Sequence, residues 1–328
     1  ASSYLAETGS IETFQPRDIK WVRPFGVGAY AVVYLGWWRD RLYAIKTINK
    51  QHMVTINQAN EVVSEKRMLQ DLDSNFCVRL VATAQDSRNL YMMMNPVLGG
   101  ELFTLVAETL GPLPEDKSRF YAACTVLGLE YLHENNIIYR DLKLENLLID
   151  RKGYLKIADL GIAKKLYPGE KTYTFKGTPD YMAPEYLTSS GVTHSADWWA
   201  LGVLIFEINA GYTPFQADDP MEMFRKISHV HYSCPNTFST ELIDLIGGLL
   251  EKKVARRLGS GVTGSLEVKN HPWFQGLDWG ALKEMKLPAP WLPDINLSRL
   301  PPPADIKTHP VSLGERVSPE HQHLFEGF

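Results

Sequence analysis

The sequence predicts an α+β fold in two parts, a small antiparallel sheet followed by a mainly helical portion. Three observations predict it. The 328 residues suit two domains, or one large fold in two parts, at roughly 100–200 residues per domain. Residues 19–48 are rich in Val, Trp, Tyr and Ile with glycines between, which is the composition of short strands. Beyond Pro114 the apolar residues recur at helical spacing instead.

Taken in order, Gly26-Val27-Gly28-Ala29-Tyr30-Ala31 lies between a strand-like Ile19–Phe25 and a strand-like Val32–Leu35. A dinucleotide-binding glycine motif needs a helix next, whereas β-branched residues follow here, so a strand-turn-strand flap over phosphates fits better. Tyr43-Ala44-Ile45-Lys46 alternates and places Lys46 on the face of Ala44. Residues 57–72 form a helix whose stripe holds Ala59, Val62, Val63, Leu69 and Leu72. Glu65 falls inside that stripe, within ~60° of Val62 and Leu69 at 100° per residue. A carboxylate there needs a cation, and Lys46 is the candidate.

A strand pair follows near Val78–Leu80 and Tyr91–Met94. Pro114-Glu115-Asp116 starts a helix, with proline in the first turn and acids at the positive end of the dipole. Phe120, Ala123, Cys124, Leu127 and Tyr131 carry its apolar face. Asp197–Ala210 is apolar nearly all round, as a buried helix is, and Gly211 stands at its C-cap. From Met285 on, eight of the 20 prolines crowd into 44 residues, too many for a helix or a central strand.

Composition excludes several classes. With 45% hydrophobic and 22% charged residues, the chain is neither disordered, collagenous nor a disulfide framework. A net charge of -4 gives no global attraction to nucleic acid or anionic membrane. Cys77, Cys124 and Cys234 are spaced unlike any zinc signature, and their odd number points to a reducing, cytoplasmic setting. The longest apolar run, Trp198–Phe206, falls short of the ~20 residues of a transmembrane span. Ala1 to Glu7 has no basic region or apolar core, so the start reads as a cut end rather than a signal peptide.

The chemistry concentrates in two motifs. Tyr139-Arg140-Asp141-Leu142-Lys143-Leu144-Glu145-Asn146 is a polar loop between the apolar Ile137-Ile138 and Leu147-Leu148-Ile149. Thirteen residues after Asn146 comes Asp159-Leu160-Gly161. An Asp and an Asn supply hard oxygen ligands for Mg²⁺, while a second Asp can accept a hydroxyl proton.

Glycine flap, strand lysine, helix glutamate, Arg-Asp-Leu-Lys-x-x-Asn, Asp-x-Gly and Ala183-Pro184-Glu185 stand in the order of the protein-kinase signature set. From about Phe14 to Phe274 the chain resembles a protein kinase. Gly177-Thr178-Pro179-Asp180-Tyr181 and His271-Pro272-Trp273-Phe274 resemble the AGC group. Ser64-Glu65-Lys66, Leu98-Gly99-Gly100-Glu101-Leu102 and Ala163-Lys164-Lys165 are most similar to cGMP-dependent kinases, with cAMP-dependent catalytic subunits nearly as similar. The resemblance implies a bilobal fold. Residues 1–18 would be an N-terminal extension, 19–97 and 98–274 the two lobes, and 275–328 an AGC-type tail, whose closing Phe325-Glu-Gly-Phe328 docks on the small lobe.

It also implies residue roles. Gly26, Gly28, Ala31, Val33, Ala44, Lys46, Met94, Asn95, Val97, Glu101 and Leu148 would bind ATP, with Glu65 holding Lys46. Asn146 and Asp159 would hold Mg²⁺. Asp141 would take the substrate proton and Lys143 would neutralise the moving phosphoryl group, with Thr178 bonded to both. Glu101, Glu145 and Glu207 would receive arginines of a basic peptide. Thr174 would be an activating phosphosite clamped by Arg140 and Lys164, and Glu185 with Arg257 a structural pair. A cyclic-nucleotide-binding regulatory part is expected upstream in the chain or as a separate subunit. Ala31 in place of the third flap glycine and Leu160 in place of phenylalanine depart from the pattern. Together with Glu61, an acid one turn before Glu65 that would repel a phosphate on Thr174, they motivate the rival reading of a nucleotide-binding scaffold without turnover.

Overall fold

The structure is a computed structural model that describes residues 11–28, 30–297, 300 and 314–328. Residues 1–10 of the expected N-terminal extension and 298–299 and 301–313 of the expected tail lie outside the described residues, as does Ala29 of the flap. The chain divides into two compact units. One holds the described residues up to Asp73, Val78–Val97 and those from Asp294 onward; the other holds Ser74–Cys77 and Leu98–Pro293.

The first unit is built on six strands: β1 (Glu12–Thr13), β2 (Lys20–Val27), β3 (Ala31–Trp38), β4 (Arg41–Asn49), β5 (Leu80–Gln85) and β6 (Asn89–Met94). Helices α1 (Lys50–Thr55) and α2 (Ala59–Gln70) connect β4 to β5. The order across the sheet is β1-β5-β6-β4-β3-β2. The expected antiparallel sheet is present, and one edge adds a parallel pair, β1 with β5, with Glu12 opposite Ala82. A two-residue strand joined at long range leaves no alternation to read. The start of β5 at Leu80 corrects the expected strand near Val78–Leu80. Between β3 and β4 the chain reverses through Arg39 and Asp40, both at positive φ, as a two-residue hairpin turn requires.

The two faces of the sheet differ. One carries the aromatic cluster of Phe14, Trp21, Trp38, Tyr43 and Tyr91 with Ile45 and Met93. The register puts Val33 opposite Lys46 and Ala44 opposite Met94, so these four share the other face. The C-terminal residues pack on the same unit. A 3₁₀ helix, Pro319–Phe325, buries Phe325 completely, which stabilises the docked end by about 1.5–3 kcal/mol. Lys50, 0% exposed, donates to Gln85 Oε1 at 2.8 Å and to the Asp86 carbonyl at 2.6 Å, and its ammonium lies 5.5 Å from the Phe325 ring centre. Lys66 donates to the Gly327 carbonyl at 3.0 Å. The expected docking of the closing aromatics is therefore present.

The second unit is mainly helical: α3 (Leu102–Thr104), α4 (Glu115–Glu134), α5 (Ser195–Ala210), α6 (Pro220–His229), α7 (Thr240–Leu249), α8 (Ser265–Lys269) and α9 (Trp279–Lys283). Pro114 caps α4 from outside rather than sitting in its first turn. Helix α5 is buried along almost its whole length, and Gly211 ends it at φ 82, a conformation that glycine adopts without a Cβ penalty. Arg257 holds Glu185 through two bonds of 2.6 and 2.9 Å in the interior. That is the expected structural pair. Short strands β7 (Ile137–Ile138), β8 (Leu147–Ile149), β9 (Leu155–Ile157) and β10 (Lys164–Lys165) flank the polar loop; β8 pairs with β9 and β7 with β10, both antiparallel.

Candidate active site

In the first unit the site begins with an ion pair. Lys46 Nζ lies 2.7 Å from Glu65 Oε1, and Glu65 is 3% exposed. The position of Glu65 within the apolar stripe of α2 dictates this, because an acid held there needs a partner. Next to the pair on the same sheet face stand Val33, Ala44 and Met94. Gly26 pairs with Val33, and Gly28 donates its N–H to the Ala31 carbonyl at 2.8 Å, closing the β2–β3 turn. The glycine segment is thus a strand-turn-strand flap. Asn95 follows β6, its N–H on the Arg79 carbonyl at 3.3 Å, and Val97 is buried.

In the second unit the polar loop gathers four predicted residues. Lys143 Nζ lies 3.3 Å from Asp141 Oδ1 and 3.1 Å from Thr178 Oγ1, and Thr178 Oγ1 donates to Asp141 Oδ1 at 2.9 Å. Asn146 Nδ2 donates to the Asp141 carbonyl and to Oδ2, both at 2.8 Å. With its nitrogen committed, Asn146 has its side-chain oxygen left as a hard donor. The β8–β9 hairpin brings Asp159 alongside, since Ala158 N–H donates to the Asn146 carbonyl at 2.9 Å. Asp159 sits at φ 57 and accepts the Gly161 N–H at 3.0 Å. A left-handed aspartate is uncommon, and such backbone clusters at functional sites. One carboxylate and one amide oxygen are hard donors that fit Mg²⁺. Leu160 beside it is fully buried.

The loop itself hangs on a residue that the motifs did not single out. Asp197, at the start of α5 and 1% exposed, accepts the N–H of Tyr139 at 2.8 Å and of Arg140 at 2.9 Å, and His133 Nε2 lies 2.8 Å from it. An acid in the first turn of a mostly apolar helix is the signal that could have found it. Arg140, at φ 68, needs that hold.

The expected clamp on Thr174 is arranged differently. Arg140 Nη1 and Lys164 Nζ reach the hydroxyl of the buried Thr172, at 3.4 and 3.5 Å, and Thr172 Oγ1 is 3.1 Å from Thr174 Oγ1. A hydroxyl one alternation inward occupies the cations that the sequence assigned to Thr174, which is itself exposed.

The three glutamates also differ among themselves. Glu145 and Glu101 are exposed, and partial burial, with Glu145 and Glu108 nearby, pushes the Glu101 carboxyl up. Leu148 bridges to Glu101. Glu207 accepts the Tyr181 hydroxyl. Burial raises the Glu207 carboxyl to about 7, reinforced by Glu145 and Asp180 and opposed by the bond from Tyr181. No helix among the described residues is long and apolar enough to cross a membrane.

Residues 19–274 match the family described as protein kinase domain. The cAMP-dependent protein kinase catalytic subunit of Dictyostelium discoideum is 41% identical over 281 residues, 85% of this chain and 43% of that protein. The cAMP-dependent protein kinase catalytic subunit of Schizosaccharomyces pombe is 38% identical over 319 residues, 95% of this chain and 61% of the relative. A cGMP-dependent protein kinase, egl-4 of Caenorhabditis briggsae, is 38% identical over 286 residues, 85% of this chain and 38% of its own length. The chain spans about half the length of the curated relatives it matches.

Proposed function

The chain belongs to the protein kinase family, and from that premise we propose that it transfers the γ-phosphoryl group of Mg-ATP to serine or threonine hydroxyls in basic peptides. The observation that carries this reading is the triangle of Asp141, Lys143 and Thr178, with all three contacts at 2.9–3.3 Å. Its acid would orient the acceptor hydroxyl and take its proton. Lys143 would stabilise the charge that moves with the phosphoryl group, in a reaction carried mostly by positioning and electrostatics.

Lys46, held by Glu65, would bind the α- and β-phosphates of ATP, and the segment Gly26 to Ala31 would cover them. Val33, Ala44, Met94, Asn95, Val97, Glu101 and Leu148 would complete the nucleotide site. Asn146 and Asp159 would hold Mg²⁺, which neutralises phosphate charge when bound. Glu101, Glu145 and Glu207 would take arginines, because a carboxylate pairs with a guanidinium bidentately. Phosphate on Thr174 would order the segment that ends at Glu185.

The similarity to both cAMP- and cGMP-dependent kinases, at 41 and 38% identity, supports a cyclic-nucleotide-dependent enzyme. We favour the cGMP type, with a regulatory part upstream in the same chain, over a catalytic subunit bound by a separate regulator; a cytoplasmic setting suits either. The test is phosphotransfer to an arginine-rich serine peptide, run beside Asp141→Ala. Turnover that the variant loses supports the reading. Nucleotide binding with no turnover would establish the scaffold instead.

A further inference from the structure

A basic serine context of the proposed substrate class occurs within the chain itself. Six adjacent pairs of Lys and Arg stand in the sequence, and only Arg225-Lys226 is followed two positions on by a hydroxyl, that of Ser228. All three lie in the C-terminal half of α6. Arg225 is exposed and Ser228 half-buried. The Ser228 hydroxyl has no hydrogen-bond partner among the described residues, and the side chain borders a cavity of ≈ 600 Å³ with Leu187, Met221 and Phe224. The end of α6 is also loosely held. Of its ten residues only Met223 and Ile227 are buried, and the β-branched Val230 follows at φ 53 and ψ 45. A left-handed valine costs about 1–3 kcal/mol. Releasing it offsets part of the cost of uncovering Ile227 when the last turn opens. The Arg225–Glu222 pair, with two bonds of 2.8 Å, is exposed and gives way easily.

We propose that Ser228 is a phosphorylation site, modified by the polar loop of a second copy of this chain. This rests on the reading of the chain as a kinase of basic peptides. In the step, Ser228 Oγ attacks the γ-phosphorus of ATP and its proton passes to Asp141 of the acting copy. The bond from that phosphorus to the β–γ bridging oxygen breaks, and ADP leaves. Transfer runs between copies because α6 packs on the 3₁₀ turn Pro184–Leu187, inside the same compact unit as Asp141, so a chain does not carry its own serine to that acid. Phosphate at the end of α6 meets the negative pole of the helix dipole, and a cation must answer it. Lys252 stands there: its Nζ lies 2.6 Å from the Ser228 carbonyl, and it has no acidic partner among the described residues.

The experiment mixes the active full chain with a ¹⁵N-labelled Asp141→Ala chain and Mg-ATP, and maps phosphate by mass spectrometry. Phosphate should appear on Ser228 of the labelled copy, at a rate that rises with the concentration of the active one. Arg225→Gln with Lys226→Gln in the labelled copy should slow this about tenfold, since two charge-assisted contacts are lost. Lys252→Ala should speed removal of the phosphate by a phosphatase about threefold. If an arginine-rich serine peptide in the same tube is phosphorylated while Ser228 stays unmodified, the site is overturned and the kinase reading stands. If neither is phosphorylated, the reading fails and the site with it. Phosphate on Ser228 of the active copy alone overturns transfer between copies. An unchanged rate in the double glutamine variant overturns selection by the basic pair, and an unchanged phosphatase rate overturns the role of Lys252.

Discussion

Asp197 Oδ1 accepts the backbone N–H of Arg140 at 2.9 Å, so a buried carboxylate on α5 fixes the main chain one residue before Asp141. Asp197→Asn keeps the shape but replaces one acceptor by a donor facing an N–H. The loop loses its hold, and Arg140 loses the support for its left-handed backbone. A drop in kcat of about a hundredfold is expected, with KM for ATP within about threefold, because misplacement of a catalytic group acts mainly on the chemical step. Steady-state kinetics with both substrates check it; a selective rise in KM for ATP would contradict it.

The Lys46–Glu65 pair gives a prediction on stability that separates from activity. Glu65→Ala removes the carboxylate that holds a largely buried ammonium and should cost about 3 kcal/mol. Lys46→Met combined with Glu65→Leu removes both charges and should regain most of that loss, because the desolvation of the pair offsets much of its attraction. Turnover should not return in the double variant. Urea unfolding of the three proteins, with phosphotransfer measured on each, checks both halves.

Glu207 should make stability, and on the proposed reading peptide recognition, respond to pH near neutrality. Its folded value, about 7, lies above the usual carboxylate range, so the folded state binds more protons than the unfolded one. Its contribution to stability is therefore fully present at acid pH and is lost as pH rises through about 7. Arginine binding, as proposed for Glu207, would have the opposite sense, since it needs the ionised form. KM for an arginine-containing peptide should fall as pH rises from about 6 to 8, and Glu207→Gln should flatten that trend while raising Tm at the alkaline end. Thermal melts and initial rates across that range decide it.

Phe325 anchors the chain's end against Lys50. Phe325→Ala should destabilise by about 3 kcal/mol, the range for emptying a buried phenylalanine site. Lys50, already held below its ordinary value by burial, then gains solvent. Chemical denaturation measures the loss, and hydrogen exchange at Lys50–Thr55 and Ala59–Gln70 should rise first.

The parts that were legible in the sequence are those whose cause is local. Glu65 could be assigned a partner because an acid inside an apolar stripe has few alternatives. Gly211 follows from a left-handed backbone that few residues adopt, and the Gly26–Ala31 flap could be read because β-branched strand residues, not a helix, follow it. Other parts depend on contacts no short window contains. Lys50 looks like any helix-starting lysine until Gln322 and Phe325 arrive from 272 and 275 positions away. Thr172 and Thr174 are two residues apart in similar company, and only the pairing of Thr172 with Val192 decides which one turns inward. The role of Asp197 could not be read either, because its partners, the amides of Tyr139 and Arg140, lie 58 and 57 positions away.

The parallel pairing of β1 with β5 has a bearing on solubility. An outer strand left bare offers its unpaired amides and carbonyls to any neighbouring polypeptide. Glu12 and Thr13 occupy part of that rim, while Phe14 closes the aromatic layer behind it. A chain trimmed to begin at Gln15 would uncover both and should self-associate with rising concentration, whatever its catalytic competence.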